Sequence, residues 1–159
     1  KAMSIWSAIL EKDGQCHTSL GRVFDALEGR QRDYNFLLVG VEAYPGTPDF
    51  QFVNQAPVWM SGEELTRMIR QEDFQWVWGA LLAFSTPCSK EQILSGVRAL
   101  YVPETSDQDS WHIRNRFLET GAEFMIYAED STYTELLLRN RKLLELFCRH
   151  EPEAVVREL

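Results

Sequence analysis

Cysteine is scarce in this chain and badly placed for structural chemistry. Cys16, Cys88 and Cys148 are odd in number and far apart, with no CxxC among them. A disulfide framework needs an even, regularly spaced set, and a zinc site needs a second ligand pair that Cys148 and His150 do not have. A reducing cytoplasm is the expected compartment. Histidine is equally sparse, three in 159 residues, which leaves little material for a His-based metal site. No apolar run approaches the roughly 18–20 residues of a membrane span. The start lacks the charged, apolar and small-residue succession of a signal peptide, and Met3 reads as the native start. No GxGxxG, Walker sequence, GxSxG, SxxK or HExxH occurs. Positive charge is short too: 16 Lys and Arg against 24 Asp and Glu give a net charge of −8. That balance disfavours nucleic acid and anionic lipid as partners. No cofactor is implied.

What the chain does have is apolar and aromatic material. Hydrophobic residues make up 45% and aromatics 12%, with five Trp, enough to fill the core of one domain spanning residues 1–159. The stretch from Asp73 to Ser85 carries apolar residues at every even position from Phe74 to Phe84, the period of a strand. From Gly79 to Ala83 the odd positions are apolar as well, which predicts a central strand covered on both faces. Its phase places Trp76 and Trp78 inward together.

In chain order, Ser4–Leu10 reads as a strand closed by a turn at Lys12-Asp13-Gly14. Leu20, Val23, Phe24 and Leu27 form one helical face, capped by Thr18 or Ser19, weakened by Gly21 and ended by Gly29. Tyr34–Ala43 reads as a strand with Leu37, Val39, Val41 and Ala43 on one face. Phe50–Gln55 suggests an antiparallel partner strand limited by Pro57. Ser61 and Glu64 form a capping box for a helix that buries Leu65, Met68 and Ile69. Ser89 with Gln92 opens a short helix ending near Gly96, followed by a strand over Arg98–Val102. Pro103–Asp109 reads as an exposed loop, and Ser110 as the cap of a helix ended by Gly121. Ala122–Tyr127 is a strand. Ser131–Leu138 reads as its hairpin partner, the alternative being one long helix to Arg149. Asn140 caps a helix burying Leu143, Leu144 and Phe147, and the tail EAVVREL adds a helical turn. The expectation is an α+β domain with a mixed or mainly antiparallel sheet of about six strands and four to five helices.

No residue set announces chemistry. Cys16 and His17 are neighbours and cannot form a nucleophile–base pair with each other. Cys88 follows Pro87 at a strand-to-helix turn, where a thiol can be activated, but a small buried apolar role is the default. Glu63 and Glu64 suit a helix start, and Glu129-Asp130 a hairpin turn. Charge distribution is more informative. No Lys or Arg lies between Arg32 and Arg67 or between Arg70 and Lys90, and residues 104–130 hold seven acids against Arg114 and Arg116, whereas Arg139, Arg141 and Lys142 cluster at the last helix. An acidic face of this kind attracts a basic partner. Aromatic residues near turns and element ends are interface candidates. The set expected to meet a protein partner is Glu42, Tyr44, Asp49, Trp59, Asp107, Asp109 and Trp111.

The segment EDSTYTELLLRN followed by a short helix resembles small bacterial domain families with no known activity. In size, acidity and Trp content the chain is also similar to small acidic immunity proteins, which neutralise toxins, often basic nucleases, by masking their surface. Taken with the charge distribution, the aromatic residues and the cysteine usage, this resemblance leads to the expectation of a non-enzymatic, cytosolic interaction module whose acidic, aromatic surface binds another protein, a basic one. The alternative is a small-molecule-binding domain or enzyme with a carboxylate-based site using Glu42 or Asp130 and His112. A subunit of a homo-oligomer is a third reading.

Overall fold

A computed structural model of the chain describes residues 4–11, 18–55, 57–100 and 109–159. The expected turn at residues 12–14 and residues 101–108 of the expected strand and acidic loop, Asp107 among them, lie outside the described residues.

Among the described residues, seven strands form one open antiparallel sheet. They are β1 (Trp6–Glu11), β2 (Tyr34–Ala43), β3 (Val58–Ser61), β4 (Trp76–Ser85), β5 (Phe124–Glu129), β6 (Tyr133–Leu138) and β7 (Val155–Glu158), in the spatial order β3-β2-β4-β5-β6-β1-β7. Helices α1 (Leu20–Ala26), α2 (Gly62–Gln71) and α6 (Arg141–His150) cover one face; α3 (Lys90–Leu100), α4 (Asp109–Asn115) and α5 (Phe117–Thr120) cover the other. The fold is therefore α+β in three layers, and both sheet faces are core. On the first face Phe36, Leu38, Leu81, Ala83, Phe124 and Ile126 meet Phe24, Leu65, Ile69 and Phe147. On the second, Leu37, Val39, Leu82, Phe84, Met125 and Leu137 meet Ile93, Val97, Ile113 and Phe117. Strand β4 lies inside the sheet between β2 and β5, which is why its odd and even positions are both apolar.

Two phase breaks shape the end of the sheet where the site lies. Gly40 adopts φ 61°, and the β2–β4 register shifts between Val39 and Glu42 and again before Ala43. Leu37 and Val39 therefore face one core while Val41 and Ala43 face the other, not one common face as strict alternation predicts. Trp76 is buried in the first core beside Phe74, their rings stacked at 5.0 Å, while Trp78 is half-buried against the second. A bulge supplies the extra residue that uncouples them.

Other expectations change for local reasons. Phe50–Gln55 is not a strand: Pro48–Asn54 forms a 3-10 helix with Pro48 at its start. Asn54 takes the place of a ladder partner, its Oδ1 accepting from Ala43 N at 2.8 Å and its Nδ2 donating to Ala43 O at 3.0 Å. Arg98–Leu100 is helical because α3 runs through Gly96, keeping Ile93 and Val97 on one face. The tail is a strand, since β1 offers an unpaired edge and Val155-Val156 are β-branched. Ser110 is a buried residue within α4 rather than its cap.

Ser61 caps α2 as expected, Glu64 N donating to Ser61 Oγ at 3.1 Å, while the Ser61 hydroxyl rather than its backbone N–H meets the Glu64 carboxylate at 3.3 Å; Asn140 Oδ1 accepts from Lys142 N and Leu143 N. Ser89 Oγ accepts from Gln92 N at 3.3 Å. Helix α1 is capped from a distance. Asp73, just ahead of β4, accepts from Gly21 N at 3.1 Å and from Ser19 Oγ at 2.6 Å, while the Thr18 hydroxyl donates to Trp76 O. Gly21 lets Asp73 approach this closely: a Cβ there would lie 2.4 Å from Asp73 Oδ2, so the capping carboxylate would have to shift.

Candidate functional site

The second sheet face is not fully covered. Helix α4 crosses it over Tyr127 and Glu135, and beyond that crossing, toward the β5–β6 hairpin, a row of side chains remains accessible. Register places Glu42 opposite Trp78 on β2 and β4, Glu129 opposite Tyr133 on β5 and β6, and Glu11 opposite Tyr133 on β1. Trp78 and Tyr133 are half-buried against the second core, and Glu11 and Glu42 are exposed. The outcome is a ledge in which carboxylates alternate with aromatic rings. None of Glu11, Glu42 or Glu129 has an ion-pair partner among the described residues.

The hairpin that ends the ledge turns through Asp130 and Ser131, both with positive φ (46° and 59°), and Thr132 N donates to Glu129 O at 2.8 Å. This is the left-handed pair of a tight antiparallel connection. Ser131 N donates to Val77 O at 3.0 Å and Gln75 Nε2 to Ser131 Oγ at 2.8 Å, fixing the hairpin against the start of β4.

The back of the ledge is built on a buried ion pair. Glu135, 1% exposed in mid-strand, accepts from Arg114 Nε and Nη2, each at 2.8 Å, and from the buried Ser7 hydroxyl. That two-pronged bond raises the Arg114 guanidinium above its ordinary value, although burial acts against it. Arg114 also lies 5.7 Å from the ring centroid of Trp111, whose ring is 6.3 Å from that of Tyr127. Trp111 keeps 37% of its surface exposed and so stands at the border of the ledge. Burial, and then the hydrogen bond to Glu129, push the Tyr127 phenol far above its ordinary value; burial also raises Tyr133, with Glu129 and Glu135 adding to it. The Tyr44 phenol is raised chiefly by its bond to Glu42 Oε2 at 2.6 Å. These phenols stay protonated donors.

Of the residues expected to meet a partner, the fold brings together Glu42, Tyr44 and Trp111 around this ledge. Trp59 lies on the same face but on edge strand β3, half-buried and tilted against Phe84 at 6.3 Å. Asp49 sits in the 3-10 helix that packs on the opposite core. Asp109 opens α4. Sequence reasoning missed Glu11, Trp78 and Tyr133 as members, and the Arg114–Glu135 support. The signal for the last was present: a glutamate inside the apolar run Thr134–Leu138 must find a cation once buried.

Glu42, Asp130 and His112 lie on three separate elements, and no hydrogen bond joins any two of them among the described residues. Cys88 is exposed, with Ser85 Oγ 3.4 Å away, and among the described residues no group of three or more His, Cys, Asp or Glu is arranged to hold a metal. No described helix is long and apolar enough to cross a membrane. Two grooves of about 550 and 520 Å³ lie on the α1–α2–α6 side, away from the ledge. The chain matches no protein-family model, no curated protein and no solved structure.

Proposed function

We propose that this protein is a non-enzymatic interaction module of the bacterial cytosol that binds a basic protein partner through the ledge. The observation that supports the reading is the interleaving of unpaired carboxylates (Glu11, Glu42, Glu129) with half-buried rings (Trp78, Tyr133) on a rigid antiparallel sheet, bordered by the exposed Trp111. Aromatic anchors supply contact area at small entropic cost, and the surrounding acids steer a cationic surface onto them. A masking role like that of the acidic immunity proteins, which the chain resembles in size and composition, is the form of activity that fits.

The test is affinity capture from the native host with the wild type and with Glu11→Lys/Glu42→Lys. A specific basic protein is expected with the wild type, released by salt, and lost with the reversed charges. Repeated capture of no specific partner, or equal capture by both, overturns the reading.

A further inference from the structure

The groove of about 520 Å³ lies between the 3-10 turn Arg30–Asp33, Tyr34 and the outer flank of α6. The basic trio at the head of the last helix disperses in three directions. Arg139 donates to Ala122 O and Leu118 O and lies over the Phe117 ring, Arg141 pairs with Glu145, and Lys142 faces the groove. Arg149, further along α6, and Arg30 face it too, and none of these three has an ion-pair partner among the described residues. In a chain of net charge −8, three unneutralised cations around one concavity are a local inversion of sign. The opposing acids are Asp33 and Glu145, and Glu145 is engaged by Arg141.

The positive potential reaches past the rim. The neighbouring Glu28 carboxyl is held below its ordinary value first by its hydrogen bond with His150, and also by Arg149 and Arg30. The groove has an apolar side as well: Leu143 and Leu146 are buried, and the Tyr34 ring is locked edge-on to Phe124 at 5.0 Å. The Tyr34 hydroxyl makes no hydrogen bond among the described residues. A concavity of this volume, with apolar walls and a few convergent charged groups, is what small ligands use, and Arg and Lys are the side chains that take phosphate.

We propose that this groove binds a small organic phosphate, with Arg30, Lys142 and Arg149 holding the anion and Tyr34, Leu143 and Leu146 packing against its apolar part. The site lies on the opposite side of the sheet from the ledge and stands independently of it.

The experiment is a titration of the ¹⁵N-labelled protein with phenyl phosphate, inorganic phosphate and phenol. Phenyl phosphate is expected to give saturating shifts at the amides of Tyr34, Lys142 and Leu143. Inorganic phosphate should bind about tenfold more weakly, for want of apolar contact, and phenol should not bind. Arg30→Gln/Arg149→Gln should weaken phenyl phosphate by about tenfold or more. Both arginines are exposed and unpaired, so the variant should keep the wild-type spectrum. Shifts that fail to saturate, an unchanged affinity in the double variant, or phenol binding as tightly as phenyl phosphate overturns the proposal. So does an affinity for single-stranded oligonucleotides that exceeds that for phenyl phosphate and grows with length, which would mark a surface for a polyanion instead.

Discussion

The Glu135 carboxylate is 1% exposed in mid-strand and compensated by Arg114 and Ser7. Removing one partner strands the other in a medium that solvates charge poorly. Arg114→Met is therefore expected to destabilise by about 3–5 kcal/mol, while Arg114→Met/Glu135→Leu recovers most of that loss; urea midpoints of the two variants decide it. Gly62 is constrained by close approach, since a Cβ would stand 1.9 Å from Gln31 O and 2.7 Å from Tyr34 O. Neither contact is a flexible side-chain end, so Gly62→Ala should cost about 1–3 kcal/mol or more by thermal denaturation. Glu72 accepts from Gly46 N at 2.6 Å, Thr47 N at 2.9 Å and the Thr47 hydroxyl at 2.5 Å, and these bonds, the hydroxyl's first, hold its carboxyl below the ordinary 4.5. A depressed carboxyl favours the folded state above its unfolded value, and that contribution is lost as pH falls through the folded value. Urea unfolding of wild type and Glu72→Gln between pH 6 and pH 2 should show the gap between them closing toward acid; a gap independent of pH would refute the assignment.

Among the elements, those with strong local signals were legible. The Ser61 cap, the Asn140 cap and the Asp130-Ser131 turn each rest on a few neighbouring residues, and each forms where its residue types predict. Asn140→Ala should cost about 1 kcal/mol, and Asn140→Asp much less, since a carboxylate also accepts from the first-turn amides; chemical denaturation separates the two. The elements misread are those decided by distant partners. Phe50–Gln55 starts out alternating like a strand, yet Asn54 occupies the position where a strand would bond, and Val155–Glu158 becomes a strand only because β1 lies open beside it. The ledge was half-legible for the same reason. Glu42, Tyr44 and Trp111 stood out by type, but Glu11, Trp78 and Tyr133 join them only through strand register.

At the scale of the whole molecule, one sheet serves two cores, so neither core unfolds without exposing the back of the other. Leu81 and Leu82 are adjacent on β4, both fully buried, and face opposite cores. Leu81→Ala and Leu82→Ala are each expected to lose about 2–5 kcal/mol. Each should shift far-UV and near-UV unfolding curves together, as a single cooperative transition requires; separated curves would mean that the two layers melt independently. The charge pattern divides along the same sheet, with the acidic ledge on the α3–α4–α5 side and the unpaired Arg30, Lys142 and Arg149 on the α1–α2–α6 side.

The sequence by itself determined the central strand, both principal helix caps, the hairpin, the α+β class and the acidic net charge, because each follows from period, neighbouring residues or composition. Tertiary structure decided the rest. It alone sets which face each half of β4 presents, since a bulge inserts a residue that no periodicity announces, so Trp76 is buried in one core while Trp78 stays half-exposed on the ledge. It alone brings Arg114 to Glu135, for a buried carboxylate requires a cation, but only the crossing of α4 over the sheet determines which one.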